Sequence, residues 1–396
     1  MILKNRSMIM TSSIDGILRH AVEAGQVPGV AAVVTDRADT LYEGAFGERI
    51  LRSQQPMQTD TVAYIASMTK AVTAAAAMQL VEEEKLQLDR PAADFVPEIA
   101  KCEVLQGFDA AGKPRLRAPT TPITIRQLLT HTAGFGYEIW SPELRKYQEV
   151  TGTPSIGSCK SAALIAPLLF DPGDRWLYGI GVDWVGRAVE AVSGYRLRTY
   201  FAKYLLEPLG MSSTGFQITP AMRARLAKVH QRDKTGMLNP VDFELPQDPE
   251  VDLGGIGLYS TAADYLKFLR MILNGGRVGS TRLLRAETVD QMTRSSTADI
   301  RVTPLKSAIP ALSNDVEFLA GVPKRWSLAF QVNEAPSPTG RPAGGLMWGG
   351  ITNSYYWIDM ATGIAGVFVT QIRPFADIHA LPLYYAFETA VYAALA

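Results

Sequence analysis

Along the chain, apolar positions recur at helical spacing, then gather in short strand-like runs, then return to helical spacing. Ile14, Ile17, Leu18, Ala21 and Val22 in "IDGILRHAVEA" (14–24) mark an amphipathic opening helix behind a cap at Ser12 or Ser13, stopped by "GQVPG". "GVAAVVTD" (29–36) and "TLYEGAFGER" (40–49) read as two strands joined by a short polar turn. From Ser67 the pattern turns helical for about five turns, with Ala71, Ala74, Ala75, Met78 and Val81 on one face, until "EEEK". Between 90 and 255 the apolar segments keep helical spacing and are broken by Pro and Gly, as in "ITIRQLLTHTAGFG", "VDWVGRAVEAVSG" and "LRTYFAKYLLEPLG". This middle is expected to be mostly α. "STAADYLKFLRMILNGG" (260–276) is a further helix with Ser260 or Thr261 as cap. Four strand-like runs follow, at 325–332, 345–350, 354–359 and 364–372, and "DIHALPLYYAFETAVYAAL" closes the chain as a helix that tolerates Pro382 only near its start.

Helix and strands at both ends, with helices between, predict one antiparallel sheet interrupted by a large, mostly helical insertion: residues 1–66 and 256–396 against 67–255. The seam between them is a natural cleft. A chain of 396 residues suits such a two-part build. Its 39 basic and 39 acidic residues are balanced and scattered, which gives no drive toward nucleic acid or an anionic membrane. A small neutral or mixed substrate is the expected partner. No apolar run approaches a membrane span and "MILKNRSMIMTSS" lacks a signal-peptide core, so a soluble, cytoplasmic protein is expected. Cys102 and Cys159 are 57 positions apart, and the four histidines, His20, His131, His230 and His379, lack metal-binding spacing, so neither a metal nor another cofactor is implied.

Ser67 and Lys70 interrupt the otherwise apolar "VAYIASMTKAVTAAAAMQLV". Positions three apart share one helix face, so hydroxyl and amine can meet without tertiary help. Free lysine, with a pKa of about 10.4, is protonated and cannot take a proton from serine unless it is desolvated or sits in positive potential. A helix N-terminus supplies such potential and also favours an alkoxide. The alternative is two polar residues at the end of a core helix. No Gly-x-Ser-x-Gly elbow occurs, His131 lacks a motif tying it to a serine and an acid, and the consecutive carboxylates of "EEEK" diverge around a helix.

The order "SMTK", "LLTHTAGF", "DPGDRWLYG", "GGIGLYSTAADYLKFLRMILNGG" and "MWGG" resembles serine hydrolases built like class C β-lactamases and penicillin-binding proteins, most of all the family VIII carboxylesterases. The resemblance implies a β-lactamase-like fold with the active site in the cleft. It implies Ser67 as the acyl-accepting nucleophile, Lys70 as its neighbour in a proton network, and Tyr178 as third member with a phenol pKa lowered by the lysine ammonium. "WGG" stands where β-lactamases carry Lys-Thr-Gly. Trp348 would replace a carboxylate-holding cation with an apolar wall, Gly349 and Gly350 would let an ester lie close, and Ile351 with Ser67 would offer backbone N–H groups to the oxyanion. Ile180 stands where β-lactamases place an amide-binding asparagine. Tyr137 and Trp140 complete a site suited to short acyl chains. The expected function is therefore a serine esterase acting on small carboxylic esters without a cofactor. The alternative is an acyltransferase, since "VLQGFDAAGKPRLR" looks like the same stretch of fungal polyketide acyltransferases; β-lactamase activity ranks third.

Overall fold

A computed structural model describes the backbone of residues 2–395 and the side chains from residue 11 onward. Eight antiparallel strands form the central sheet in the order Lys324–Trp326, Gln331–Asn333, Leu346–Gly350, Ser354–Asp359, Ile364–Val369, Gly29–Thr35, Thr40–Ile50 and Gln55–Pro56. The N-terminal strand pair thus completes a sheet begun by the C-terminal strands, with Ala31 opposite Val369 and Ala32 opposite Phe368.

Alternation along Ser354–Asp359 explains how a strand buried at every position serves two faces. Tyr355 and Trp357 turn toward the closing helix, Ala380–Leu395, where they meet Tyr384 and Phe387. Tyr356 turns the other way, to Tyr265 of the helix Ala262–Leu273. The opening helix packs beside the closing one. Asp377 receives the backbone N–H groups of His379 and Ala380 at 3.0 Å, which fixes the start of the closing helix and leaves Pro382 in its first turn, where its missing donor costs nothing.

Several sequence expectations need correction. The opening helix runs Ile2–Glu23, so Ser12 and Ser13 lie inside it rather than capping it. The run 325–332 is a hairpin, because the Ser327 hydroxyl accepts the N–H groups of Ala329 and Phe330 and turns the chain between Trp326 and Gln331. The run 364–372 breaks after Val369, and Ile372–Arg373 pairs instead with Val229–Arg232 in a separate three-stranded sheet. The middle of the chain is less helical than its spacing suggests: it holds the hairpins Val104–Phe108/Pro114–Arg117 and Val229–Arg232/Leu238–Val241. Both are short and partly exposed, so their strands carry few apolar positions from which a period could be read. Thr261, whose hydroxyl accepts from Asp264 N, is the cap of the Ala262–Leu273 helix.

We place the division of the chain at 66/67 and 255/256 as a proposal: the outer segments build the whole eight-stranded sheet and the middle segment contributes none of its strands. The helix Thr69–Glu82 begins at that junction and is buried on nearly all sides, packed on Gly181–Ser193 and Ala286–Thr293. Its alanines permit the close approach, and Gly186 and Gly254 let the 253–257 segment pass where a Cβ would strike Leu197, Val182 O or Thr73. Among the described residues, no helix is long and apolar enough to cross a membrane.

Candidate active site

Ser67 lies in a single 3-10 turn, Ala66–Met68, that feeds directly into the Thr69–Glu82 helix. Ala66 adopts a φ of +46°, a conformation L side chains seldom take, and the turn is locked by Thr69, whose hydroxyl donates to Ala66 O at 2.6 Å and accepts from Leu258 N at 3.0 Å. Behind it stands the strand Leu346–Gly350. A side chain at Gly350 would collide with the Ile65 carbonyl, so this glycine admits the strand against the serine turn.

Lys70 Nζ is 3.2 Å from Ser67 Oγ and donates to Tyr137 Oη and Gly255 O, both at 2.9 Å. It is 2% exposed against 8% for the serine. Burial lowers its pKa to about 7, opposed by the Asp183 carboxylate. Asp183 sits in the first turn of Gly181–Ser193, accepts from Gly255 N at 2.7 Å, and occupies the space a Gly255 side chain would need. Burial raises its carboxyl, and Lys70 works against that rise. Lysine and aspartate are thus joined through the backbone of one residue, Gly255, rather than in contact.

A neutral lysine amine has two hydrogens and one lone pair. Gly255 O can only accept; once the amine is neutral, with Tyr137 Oη taking its second hydrogen, the lone pair is left for Ser67 Oγ.

Tyr178 is held by aromatic packing: His131 at 4.7 Å, Trp348 at 4.7 Å, Tyr137 at 5.4 Å and Trp140 at 5.6 Å between ring centroids. Lys70 Nζ lies over the ring face, 4.6 Å from its centroid. The phenol oxygen accepts from Trp348 Nε1 at 2.9 Å and shares a hydrogen bond with Ser67. The expectation of a lowered phenol pKa is overturned: burial raises it, outweighing the bonds from Ser67 and Trp348, because the ammonium faces the ring rather than the oxygen. Lysine, not tyrosine, is the group tuned toward neutral pH.

Three further expectations change. Trp348 is no wall of the substrate cleft; it lies 2% exposed beneath Tyr178, edge-on to Trp326 at 4.6 Å, and its indole N–H orients the phenol. Gly349 pairs with Tyr355 and faces that ring, away from the cleft, as strand alternation requires. Gly350 accommodates Ile65, not an ester. Tyr137, expected as wall, both lines the cleft and accepts from Lys70. Asp183 and Gly255 were not singled out by sequence, although a lone acid in "GIGVDWVG" is a signal of buried charge. His131 is fully buried, its pKa lowered by burial and by Lys70, and it packs on Tyr178 rather than on the serine. Cys102 and Cys159 are buried free thiols, each pushed up to about 12 by burial.

A cleft of about 220 Å³ opens over Ser67, lined by Tyr64, Tyr137, Ile139, Trp140, Phe243 and Leu245 among others, with Ile351 on its rim. It can seat a small apolar group against a reactive hydroxyl.

The Beta-lactamase family model matches residues 14–390. The chain is 31% identical over 392 residues to monacolin J acid methylbutanoyltransferase of Aspergillus terreus, covering 95% of this chain and 94% of that one. It is 35% identical over 289 residues to lovastatin esterase of Penicillium rubens, covering 70% and 71%. The solved structure of unliganded simvastatin synthase from Aspergillus terreus superposes with a TM-score of 0.82 at 28% identity over 97% of this chain and 98% of that one. With the sheet, the serine turn and the buried lysine arranged as described, the chain belongs to the β-lactamase family of serine hydrolases and acyltransferases.

Proposed function

We propose that the protein is an acyl-transferring serine enzyme that takes an acyl group from a carboxylic ester and passes it to an alcohol. The observation that carries this is the buried Lys70 amine 3.2 Å from Ser67 Oγ on the floor of an apolar cleft, where burial lowers its pKa to about 7. Lys70 takes the hydroxyl proton as Ser67 attacks the ester carbonyl, and the backbone N–H groups of Ser67 and Ile351 receive the developing oxyanion. The ester C–O bond then breaks. The departing alkoxide takes the proton that Lys70 removed from Ser67, while the neutral Tyr178 phenol, held by Trp348, stands beside the serine as a hydrogen-bond donor. An incoming alcohol surrenders its proton to the same network and attacks the acyl-serine, giving a new ester and free Ser67.

Transfer ranks ahead of the esterase reading because similarity to an acyltransferase extends over nearly the whole chain, and because cleft walls of aromatic and aliphatic side chains suit an organic acceptor better than water. Hydrolysis is the second reading, favoured by the identity to an esterase. β-Lactam turnover ranks third: Ile180 supplies no amide-binding group, and an indole replaces the lysine of Lys-Thr-Gly.

Intact-mass analysis after mixing with 4-nitrophenyl butyrate tests the reading. The wild type gains one butyryl group at Ser67, and added alcohols convert nitrophenol release into new ester in preference to butyrate. Ser67→Ala loses nitrophenol release by at least about a thousandfold. Full activity of that variant would end the proposal; butyrate as sole product at high alcohol would return the protein to the esterases.

A further inference from the structure

Arg373 stands on the wall of the Ser67 cleft with no acid beside it. Backbone pairing of Ile372–Arg373 with His230–Gln231 fixes its direction: Ile372 is fully buried, so by alternation Arg373 turns to the other side, which is the cleft. Its guanidinium carbon lies 3.8 Å from the centroid of the Phe243 ring. Among the described residues it forms no ion pair, and its Nε is buried without a hydrogen-bond partner. Burial lowers its pKa, and a guanidinium keeps its charge in proteins. Glu138 lines the same cleft, and burial raises its carboxyl toward the neutral form. An arginine kept for its stem alone would carry its head to water. Here the head is stacked on an aromatic ring at the edge of the site, with donors left over.

A buried donor without an acceptor costs about 1–3 kcal/mol, and more when charged, so such a group is matched by a ligand that supplies the acceptor. The guanidinium fork fits a carboxylate in two parallel bonds, and apolar surroundings strengthen that pairing. From this unpaired cation in the cleft wall we infer that the enzyme selects substrates bearing a free carboxylate, held by Arg373 while the acyl group reacts at Ser67. The inference rests on the acyl-transfer reading of the cleft. It places the specificity cation on a strand different from the one bearing Trp348, where β-lactamases hold theirs.

The carboxylate can belong to the acyl group or to the alcohol, and two pairs of compounds separate these. Mono-4-nitrophenyl glutarate against its methyl ester probes the acyl side; 4-(hydroxymethyl)benzoate against its amide, as acceptors of butyryl from 4-nitrophenyl butyrate, probes the alcohol side. Binding of 4-phenylbutyrate against 4-phenylbutyramide, followed by calorimetry, needs no turnover. Expected are a preference of at least about tenfold for the acid in one kinetic pair and in the binding pair, its reduction toward unity in Arg373→Met, and partial retention in Arg373→Lys. Equal handling of acid and amide by the wild type, or a preference that survives Arg373→Met, overturns the inference. Turnover without acid preference leaves the acyl-transfer reading standing and removes this one. Arg373-dependent acid binding without serine acylation does the reverse.

Discussion

Two buried cations, Lys70 in the cleft and Arg341 between the sheet and the closing helix, show opposite uses of burial. Arg341 is fully buried 2.9 Å from Glu388, which is equally buried, and it donates to Leu346 O at 2.9 Å. Burial, the largest single influence, acts to lower its pKa, but the Glu388 charge together with Tyr384, Tyr392 and Tyr385 raises it overall; burial raises the Glu388 carboxyl. The pair ties the 334–345 stretch to the helix. Lys70 meets only two hydroxyls and a carbonyl, with the Asp183 carboxylate on the far side of Gly255, so burial prevails and its proton becomes exchangeable near neutral pH. Whether a buried cation anchors or reacts depends on whether a carboxylate touches it.

The comparison breaks if Lys70→Met retains turnover. It should lose at least about a thousandfold in kcat with 4-nitrophenyl butyrate while keeping the wild-type melting transition. Arg341→Met should do the reverse: denaturant melts should show a loss of about 3–5 kcal/mol, because Glu388 is left buried and unpaired, with activity per folded molecule preserved. Glu388 can escape that penalty by protonation. A carboxyl with a raised folded pKa stabilises below its unfolded value and loses that contribution as pH rises, so the penalty should be smaller at pH 5 than at pH 8.

Trp348→Phe keeps the ring but removes the N–H that orients the Tyr178 phenol. A fall of about tenfold in kcat with little change in KM is expected, corresponding to one lost hydrogen bond. The smallest effect concerns pH. Because Lys70 acts uncharged, kcat/KM should rise with pH through a midpoint near 7. Asp183 raises the lysine pKa, so Asp183→Asn, which can still accept from Gly255 N, should move that midpoint to lower pH. A shift upward would contradict the assigned electrostatics.

Much of this was readable from residues alone. The serine and lysine announced themselves as polar interruptions of an apolar run, and the short, largely apolar strands Gly29–Thr35 and Ser354–Asp359 carried enough pattern to predict one sheet from both chain ends. What stayed hidden depends on contacts distant in sequence. The Ser327 turn is made by one side chain closing on its own backbone. The direction in which Trp348 and Gly349 face follows from pairing with Tyr356 and Tyr355, which fixes which side of the strand each occupies. Asp183 gains its meaning only because Gly255 carries its influence to Lys70. The phenol pKa was misjudged for a related reason: proximity to an ammonium was foreseen, but its approach to the ring face was not.

The short parallel pairing of Ile372–Arg373 with Val229–Arg232 stitches the inserted segment to the last strands of the chain. The residue that would sort substrates therefore hangs from a seam separate from the turn that performs the chemistry. Natural drift or directed substitution can recast one position on that seam, exchanging appetite for acids against appetite for neutral compounds, while the reacting trio stays as it is.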